Sequence, residues 1–149
     1  MPTITEIETA MIARLRERIT YLRTCGSMAE FLADDIENIE EYAPLCPAAF
    51  VVYDSGSYSH KVSGRQDREM VFNVLVVVRN LRGETAARHG VAGEKGVYDV
   101  LDDVRATLTD QSCGLAMDPL LPMSEEGVAG SKDLAIYAIA FKTRCRFTL

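Results

Sequence analysis

The stretch VFNVLVVVRNLRG, residues 71–83, is the most apolar run of the chain and constrains the fold more than any other segment. Side chains alternate between the two faces of a strand. One face of this run is entirely apolar, whereas the other is apolar in its centre and polar at Asn73 and Arg79. The run therefore predicts a central strand with one face committed to the core and a second face partly available for another contact. The apolar face carries Phe72, Val74, Val76 and Val78.

Length and composition place the chain among ordinary globular proteins. Its 149 residues fit one domain, 1–149, and 48% apolar with 26% charged residues argues against disorder. The formal net charge of −6 argues against non-specific electrostatic binding to nucleic acid over most of the surface. We also expect no sequence-specific binding to nucleic acid. No run reaches the roughly eighteen apolar residues of a membrane span, and residues 1–24 carry charges throughout. We therefore expect no membrane partner and a cytoplasmic location.

Two segments near the start of the chain have the spacing of helices. Apolar residues recur every three or four positions over 4–22, and a capping box begins at Thr3. Gly26 is placed to end this helix, although residues 19–25 also fit a short edge strand. A second, more acidic helix is predicted over 28–39.

Strands and long connections fill most of the remaining chain. Residues 47–53 predict a strand that begins at a proline, and 117–123 predict a kinked edge strand. The last strand, 134–147, alternates cleanly between apolar and polar positions. Residues 54–69 predict a hairpin arm or a long loop, and the glycine-rich residues 81–96 predict an exposed excursion. This order predicts an α+β domain whose largely antiparallel sheet has about four to five strands, with helices packed mainly on one face.

A third helix, predicted over 97–108, carries three acids on its polar side. Asp99, Asp102 and Asp103 could share a metal ion, which leaves a metal-dependent hydrolase as an alternative function. Acids in the first turns of a helix are also expected from the helix dipole and from solvation alone. The sequence supplies no histidine ligand beside them, so we predict no metal site.

The other reactive side chains lack a catalytic context. His60 and His89 lie in polar loops without a nucleophile motif to pair with them. The four cysteines are far apart and form no Cys-x-x-Cys pair, so buried or half-buried thiols are expected. Residues 90–96 fail the spacing of a phosphate-binding loop. We therefore predict no catalytic residue, no cofactor and no enzymatic activity.

The last strand carries a row of three basic residues, here called the basic row: Lys142, Arg144 and Arg146. Alternate positions place all three on one face, where like charges cost free energy unless solvent or an acidic partner relieves them. Exposure to solvent is one explanation, and contact with an acidic neighbour or a nucleic-acid channel is the other. Together with the long connections 54–69 and 81–96, these charged patches favour contact between subunits over turnover of a substrate.

Five segments of the chain carry a recognisable combination of motifs. They are CPAAFVVYDSG, RNLRGETAARHG, GVYDVLDDVRATL, LAMDPLLPMSEE and AIYAIAFKTR. Their motifs follow in the order Pro-Ala-x-x-Val-x-Tyr, Arg-Asn-x-Arg-Gly, Gly-x-Tyr-x-x-Leu-Asp and Pro-Leu-x-Pro. Taken together, they resemble the small tail proteins of Mu-like phages and prophages, which are encoded beside the contractile-tail sheath. The resemblance covers nearly the whole chain, although residues 27–43 are less recognisable.

The resemblance implies a structural protein of tail morphogenesis, similar to the α+β tail terminators that form a six-membered ring at the head-proximal end of the tail. It implies a homo-oligomeric ring that contacts the tail tube or sheath and head-completion proteins, built in the bacterial host and retained in the virion. A monomeric protein-binding adaptor that uses the 71–79 face remains an alternative. The predicted subunit-interface residues are Arg79, Asn80, Arg82, Lys142, Arg144 and Arg146.

Overall fold

The structure is a computed structural model that describes residues 1–27, 46–130 and 133–148, and it contains a five-stranded sheet. The strands are β1 (Thr24–Ser27), β2 (Ala48–Val62), β3 (Arg65–Arg79), β4 (Leu121–Gly130) and β5 (Leu134–Thr148). Their order across the sheet is β1-β2-β3-β5-β4, and all neighbours are antiparallel except β1 and β2. The α+β class and the largely antiparallel sheet are confirmed, and the apolar run lies in the middle strand.

The first helix, α1 (Ile4–Arg18), begins as predicted but ends about one turn early. The Thr3 hydroxyl accepts a hydrogen bond from the backbone N–H of Glu6 at 3.1 Å, which caps the helix. The predicted continuation to residue 22 is wrong, whereas the alternative of a short edge strand near residues 19–25 is confirmed by β1, which contains Gly26. The reason is tertiary, because β1 pairs with the start of β2 and the Arg16 Nε donates to the Cys25 carbonyl at 2.8 Å. The predicted acidic helix over 28–39 lies outside the described residues.

The described helices pack on one face of the sheet, as predicted. The other two are α2 (Glu84–His89) and α3 (Val97–Leu108). The apolar side of β3 meets the apolar stripes of α1 and α3 in one continuous buried cluster. The helix residues at its centre, all fully buried, are Ile7, Met11, Leu15, Val97, Val100, Val104 and Leu108. No helix among the described residues has the length and hydropathy needed to cross a membrane.

The second face of the sheet differs from the sequence prediction. Leu75 and Val77 of β3 are 5% and 1% exposed, and they belong to a second buried cluster. Its other members are Cys46, Ala48, Phe50, Leu134, Ile136 and Ala138. The centre of this face is therefore committed to a core, which corrects the hypothesis of a half-available face. A monomeric adaptor that binds through residues 71–79 loses the surface it was assigned.

Residues 54–69 form a hairpin, which is one of the two forms that the sequence left open. β2 and β3 stay paired through Val62 and Arg65, and the turn contains Gly64 with φ of +79°. β5 continues beside β3 as far as Thr148. We call the outer part of these three strands, residues 54–62, 65–69 and 144–148, the arm.

Most residues of 81–96 are exposed, as the sequence predicts, but the segment is anchored at two points. Ala86 and Ala87 of α2 are buried against the core. The chain then returns so closely that a side chain at Gly96 would collide with the backbone of Gly90 and Arg88. This excursion is therefore exposed over most of its length and ends in a tight return.

The predicted edge strand near 117–123 is also present but shifted. It begins at Leu121, includes Pro122 and runs to Gly130 as β4, at the outer edge of the sheet.

Candidate subunit interface

The six predicted interface residues lie at two opposite ends of the sheet. Arg79 and its neighbours Asn80 and Arg82 are at the end of β3, whereas the basic row lies toward the end of β5. Because β3 and β5 are antiparallel, Arg146 pairs with Asp67 near the start of β3. Twelve residues separate Asp67 from Arg79, about 40 Å along an extended strand. The predicted interface is therefore two separate patches.

Asn80 organises the first patch from a buried position, with only 6% of the residue exposed. Its side-chain amide donates to Glu94 Oε2 at 2.7 Å, and its side-chain oxygen accepts from the backbone N–H of Arg82 at 3.0 Å. Its backbone N–H also donates to the Asp133 carbonyl at 2.8 Å. These bonds fix the end of β3 against the return of the 81–96 segment. We call Arg79, Asn80, Glu94 and Asp133 the Asn80 junction.

The two arginines of this patch have different roles. Arg79 donates through Nε to Asp133 Oδ2 at 3.0 Å, in an ion pair that joins the ends of β3 and β5. Arg82 is exposed, and its neighbour Leu81 is 82% exposed. Residues 81 and 82 are thus the part of this patch that projects into solvent, while Arg79 and Asn80 hold the fold.

The basic row at the other end is partly neutralised within the chain. Arg144 Nε lies 3.0 Å from Asp118 Oδ2, and its Nη1 lies 3.8 Å from Asp67. Arg146 Nε also lies 3.8 Å from Asp67, which is buried. Solvent exposure and an acidic neighbour were the explanations left open for the basic row. The structure adds a third, because Asp67 and Asp118 of the same chain are the acidic partners. Arg146 keeps about 60% of its side-chain surface exposed.

Sequence reasoning missed Asp67 and Asp118 as partners of the basic row. Glu69 and Asp67 alternate on β3 directly opposite Arg144 and Arg146. Their two-residue spacing matches the spacing of the arginines, and that spacing was a usable signal. This spacing is informative only if residues 65–69 form a strand, whereas the sequence predicts a hairpin arm or a long loop there.

The opposite face of the arm carries exposed aromatic groups. Tyr58 is 59% exposed, and its ring lies edge-on to Phe147 with 6.2 Å between centroids. The Arg68 guanidinium lies over the Tyr58 ring, 5.6 Å from its centroid. This arrangement stiffens the arm and leaves apolar ring surface open to a contact.

Comparison with known protein families gives one match, to the family described as Bacteriophage Mu, Gp37, over residues 3–146. The chain belongs to the Gp37 family. It is accordingly a structural protein of Mu-like phages, and the resemblance seen in the sequence is confirmed. No curated protein matches the chain. Membership of a phage structural family favours a role without catalysis.

In this Gp37-family protein the three acids of α3 point to separate structural partners. Asp99 Oδ2 accepts from the Gly96 N–H at 3.0 Å at the start of the helix. Asp102 lies 3.7 Å from Arg105, and Asp103 accepts a hydrogen bond from the Tyr21 hydroxyl. Burial raises the pKa of Tyr21, and the hydrogen bond to Asp103 raises it further. Within the described residues, no group of three or more His, Cys, Asp or Glu side chains is arranged to hold a metal ion.

A cavity of about 600 Å³ lies beside the Asn80 junction. Burial raises the pKa of the Cys46 thiol in its wall to about 11, so the thiol is protonated and a weak nucleophile near neutral pH. The described lining also holds four basic side chains, from Arg23, Arg79, Arg82 and Lys95, and it includes no histidine. The described lining is therefore mainly basic, with Glu94 as its one acid.

Proposed function

We propose that this Gp37-family protein is a tail terminator or completion subunit. Copies assemble into a ring, of six subunits by the family resemblance, at the end of the tail tube. The ring stops tube growth and offers a surface to the sheath and to head-completion proteins. Assembly takes place in the cytoplasm of the bacterial host, and the ring remains in the virion.

The observation that carries this proposal is the arm. Its strands extend past the main core, and residues 54–60 are exposed. Tyr58 and Val62 are 59% and 55% exposed, although both are large and apolar. Exposed apolar side chains on long paired strands cost a lone subunit free energy in water, and they are typical of a surface that a neighbour covers.

A ring also requires two different surfaces on each subunit, because contacts between successive copies are heterologous. The chain offers the arm at one end of the sheet and the exposed residues 81 and 82 at the other, about 40 Å apart by strand length. Residue 82 is itself basic, so the acid available to oppose Arg146 of the arm lies elsewhere, as at Asp102 on α3, whose side chain is 72% exposed. These features support closure of identical subunits into a ring.

The test is to measure the mass of the purified protein in solution and to image it by electron microscopy. We expect rings whose mass is about six times that of the 16.5 kDa chain. Adding the protein to growing tail tubes should stop elongation and leave a ring at the tube end. A protein that stays monomeric at high concentration and also fails to cap tubes would contradict the proposal.

A further inference from the structure

The sheet has two long edges that no described strand covers. β4 is the outermost strand and pairs only with β5. On the other side, β1 covers β2 only over Ala48–Val51. Within the described residues, positions 52–62 of β2 therefore have no strand on their outer side. Unpaired backbone N–H and C=O groups along an edge are a template for an added strand.

Exposed apolar side chains are concentrated on these same two edges. Seven large apolar residues are exposed in the described chain. Three of them, Leu121, Met123 and Val128, lie on β4, and two, Tyr58 and Val62, lie on the arm part of β2. Exposed apolar groups on an edge strand promote pairing with another chain. The two edges are therefore the strongest contact surfaces of the described chain.

Each edge has a short regular window between irregular positions. Register shifts in β4 fall between Pro122 and Ser124 and between Gly127 and Ala129, leaving 124–127 regular. Register shifts in β2 leave 55–60 regular in the same way. Bulges and an edge proline discourage indiscriminate pairing. The windows of four and six residues are long enough for a few backbone hydrogen bonds in one defined position.

Charge decides which edge pairs with which. β4 carries Glu125 and Glu126, both exposed, and no basic residue. The 55–60 window of β2 carries no acid and no residue charged at pH 7, since His60 counts as neutral, and basic residues follow it in the sequence at Lys61 and Arg65. Two β4 edges would bring four carboxylates together. An acidic edge against an acid-free edge that is followed by basic residues is the favourable combination.

We propose that copies of this chain join through their sheet edges, the 124–127 window of β4 in one copy pairing with the 55–60 window of β2 in the next. This proposal rests on the ring assembly of the preceding section and specifies its subunit contact. The two edges differ, so the contact is heterologous and repeats from copy to copy until the ring closes. The result is a sheet that continues across subunits.

Charge exchange between the edges tests this pairing. The first variant, Glu125→Lys/Glu126→Lys, makes β4 basic, and the second, His60→Glu/Arg65→Glu, makes the arm acidic. Each variant alone sets like charges against each other, and we expect its assembled fraction to fall at least about tenfold. In an equimolar mixture every contact between unlike variants is again attractive. We expect the mixture to regain assembly, with the two variants alternating around the ring.

The control is Glu6→Lys/Glu17→Lys, which reverses two exposed acids on α1 and should leave assembly within about twofold of wild type. Circular dichroism must show that each variant is folded. If wild type forms rings and the edge variants form them equally well, the edge pairing is wrong but the ring function stands. If the edge variants assemble normally and only lose tube capping, the edges bind another tail protein, which also overturns the proposal. If wild type forms no ring and caps no tube, both proposals fail.

Discussion

The two ends of the central sheet use polar side chains in opposite ways. At the Asn80 junction they are bonded to each other, as in the bond from the buried Asn80 amide to Glu94. On the arm they are mostly exposed, and Arg146 keeps about 60% of its side-chain surface open to solvent. The polar groups of the junction bond to each other and stabilise the fold of one subunit. The arm keeps its polar and aromatic groups available for a neighbour.

This difference sorts the six predicted interface residues by physical role. Arg79 and Asn80 hold the end of the sheet together, and Arg144 is held by two acids of its own chain. Arg79, Arg82 and Arg146 are exposed and Lys142 is half-buried, so exposure alone does not separate the two roles. A charged or polar residue near the end of a strand is thus evidence for an interface only after its partners inside the subunit are known.

The largest effect is expected from adding a methyl group at the close backbone approach of the 81–96 segment, near the Asn80 junction. A Cβ at Gly96 would collide with backbone atoms of Gly90 and Arg88, which cannot move independently. Gly96→Ala should therefore destabilise the fold by about 3 kcal/mol, seen as a fall in the denaturant midpoint. The matched arm variant is Gly64→Ala, where φ is +79° but no atom lies within 4 Å. It should cost about 1 kcal/mol. Equal losses would show that the backbone around Gly96 is no more tightly packed than the turn at the tip of the arm.

Removing the Asn80 side chain is expected to have the next largest effect. Asn80→Ala leaves the Glu94 carboxylate without its amide donor and the Arg82 N–H without its acceptor. We expect a loss of about 2 kcal/mol, measured by thermal or urea unfolding. Arg82→Ala removes an exposed side chain from the same loop and should change stability by less than about 0.5 kcal/mol. A neutral Asn80→Ala would mean that the junction does not hold the end of β3.

The main elements could be predicted because each depends on a local pattern. Alternation gave the faces of β3 and β5, and the spacing from Val97 to Leu108 gave α3 with the observed bounds. The end of α1 was left open by the sequence, because a helix to residue 22 and a short edge strand both fit the local pattern, and the contact of β1 with β2 decides between them. The burial of Leu75 and Val77 depends equally on what the fold places over that face.

The partners of the candidate residues were harder to predict than the elements. Asp67 and Arg146 are far apart in the chain and meet only through the register of β3 with β5. Glu94 reaches Asn80 only because the 81–96 segment turns back at Gly90, where φ is +80°. A one-residue change of register moves every side chain of a strand to the other face. Pairings of this kind therefore need the three-dimensional arrangement.

The two arginines of the basic row should separate stability from assembly. Arg144→Glu breaks the 3.0 Å pair with Asp118 and places a carboxylate beside Asp67, so we expect a loss of about 1–2 kcal/mol. Arg146→Glu acts on a more exposed side chain and should change stability by less than about 1 kcal/mol while weakening ring formation. Unfolding curves and solution mass of both variants make the comparison. Wild-type assembly by Arg146→Glu would remove this residue from the subunit contact.

The smallest effect is a pH dependence that comes from the junction end of the sheet. Burial raises the pKa of Cys46 from an ordinary value near 9 to about 11, and Arg79 only partly opposes this shift. The unfolded chain releases this proton first, so the contribution is fully present below pH 9 and is lost as pH rises toward 11. At pH 10 the loss should be about 1 kcal/mol relative to pH 8. Cys46→Ala should flatten the decline of unfolding free energy over this window more than Cys145→Ala does at the base of the arm. Parallel curves for wild type and Cys46→Ala would show that the thiol ionises as freely in the folded protein as in the unfolded chain.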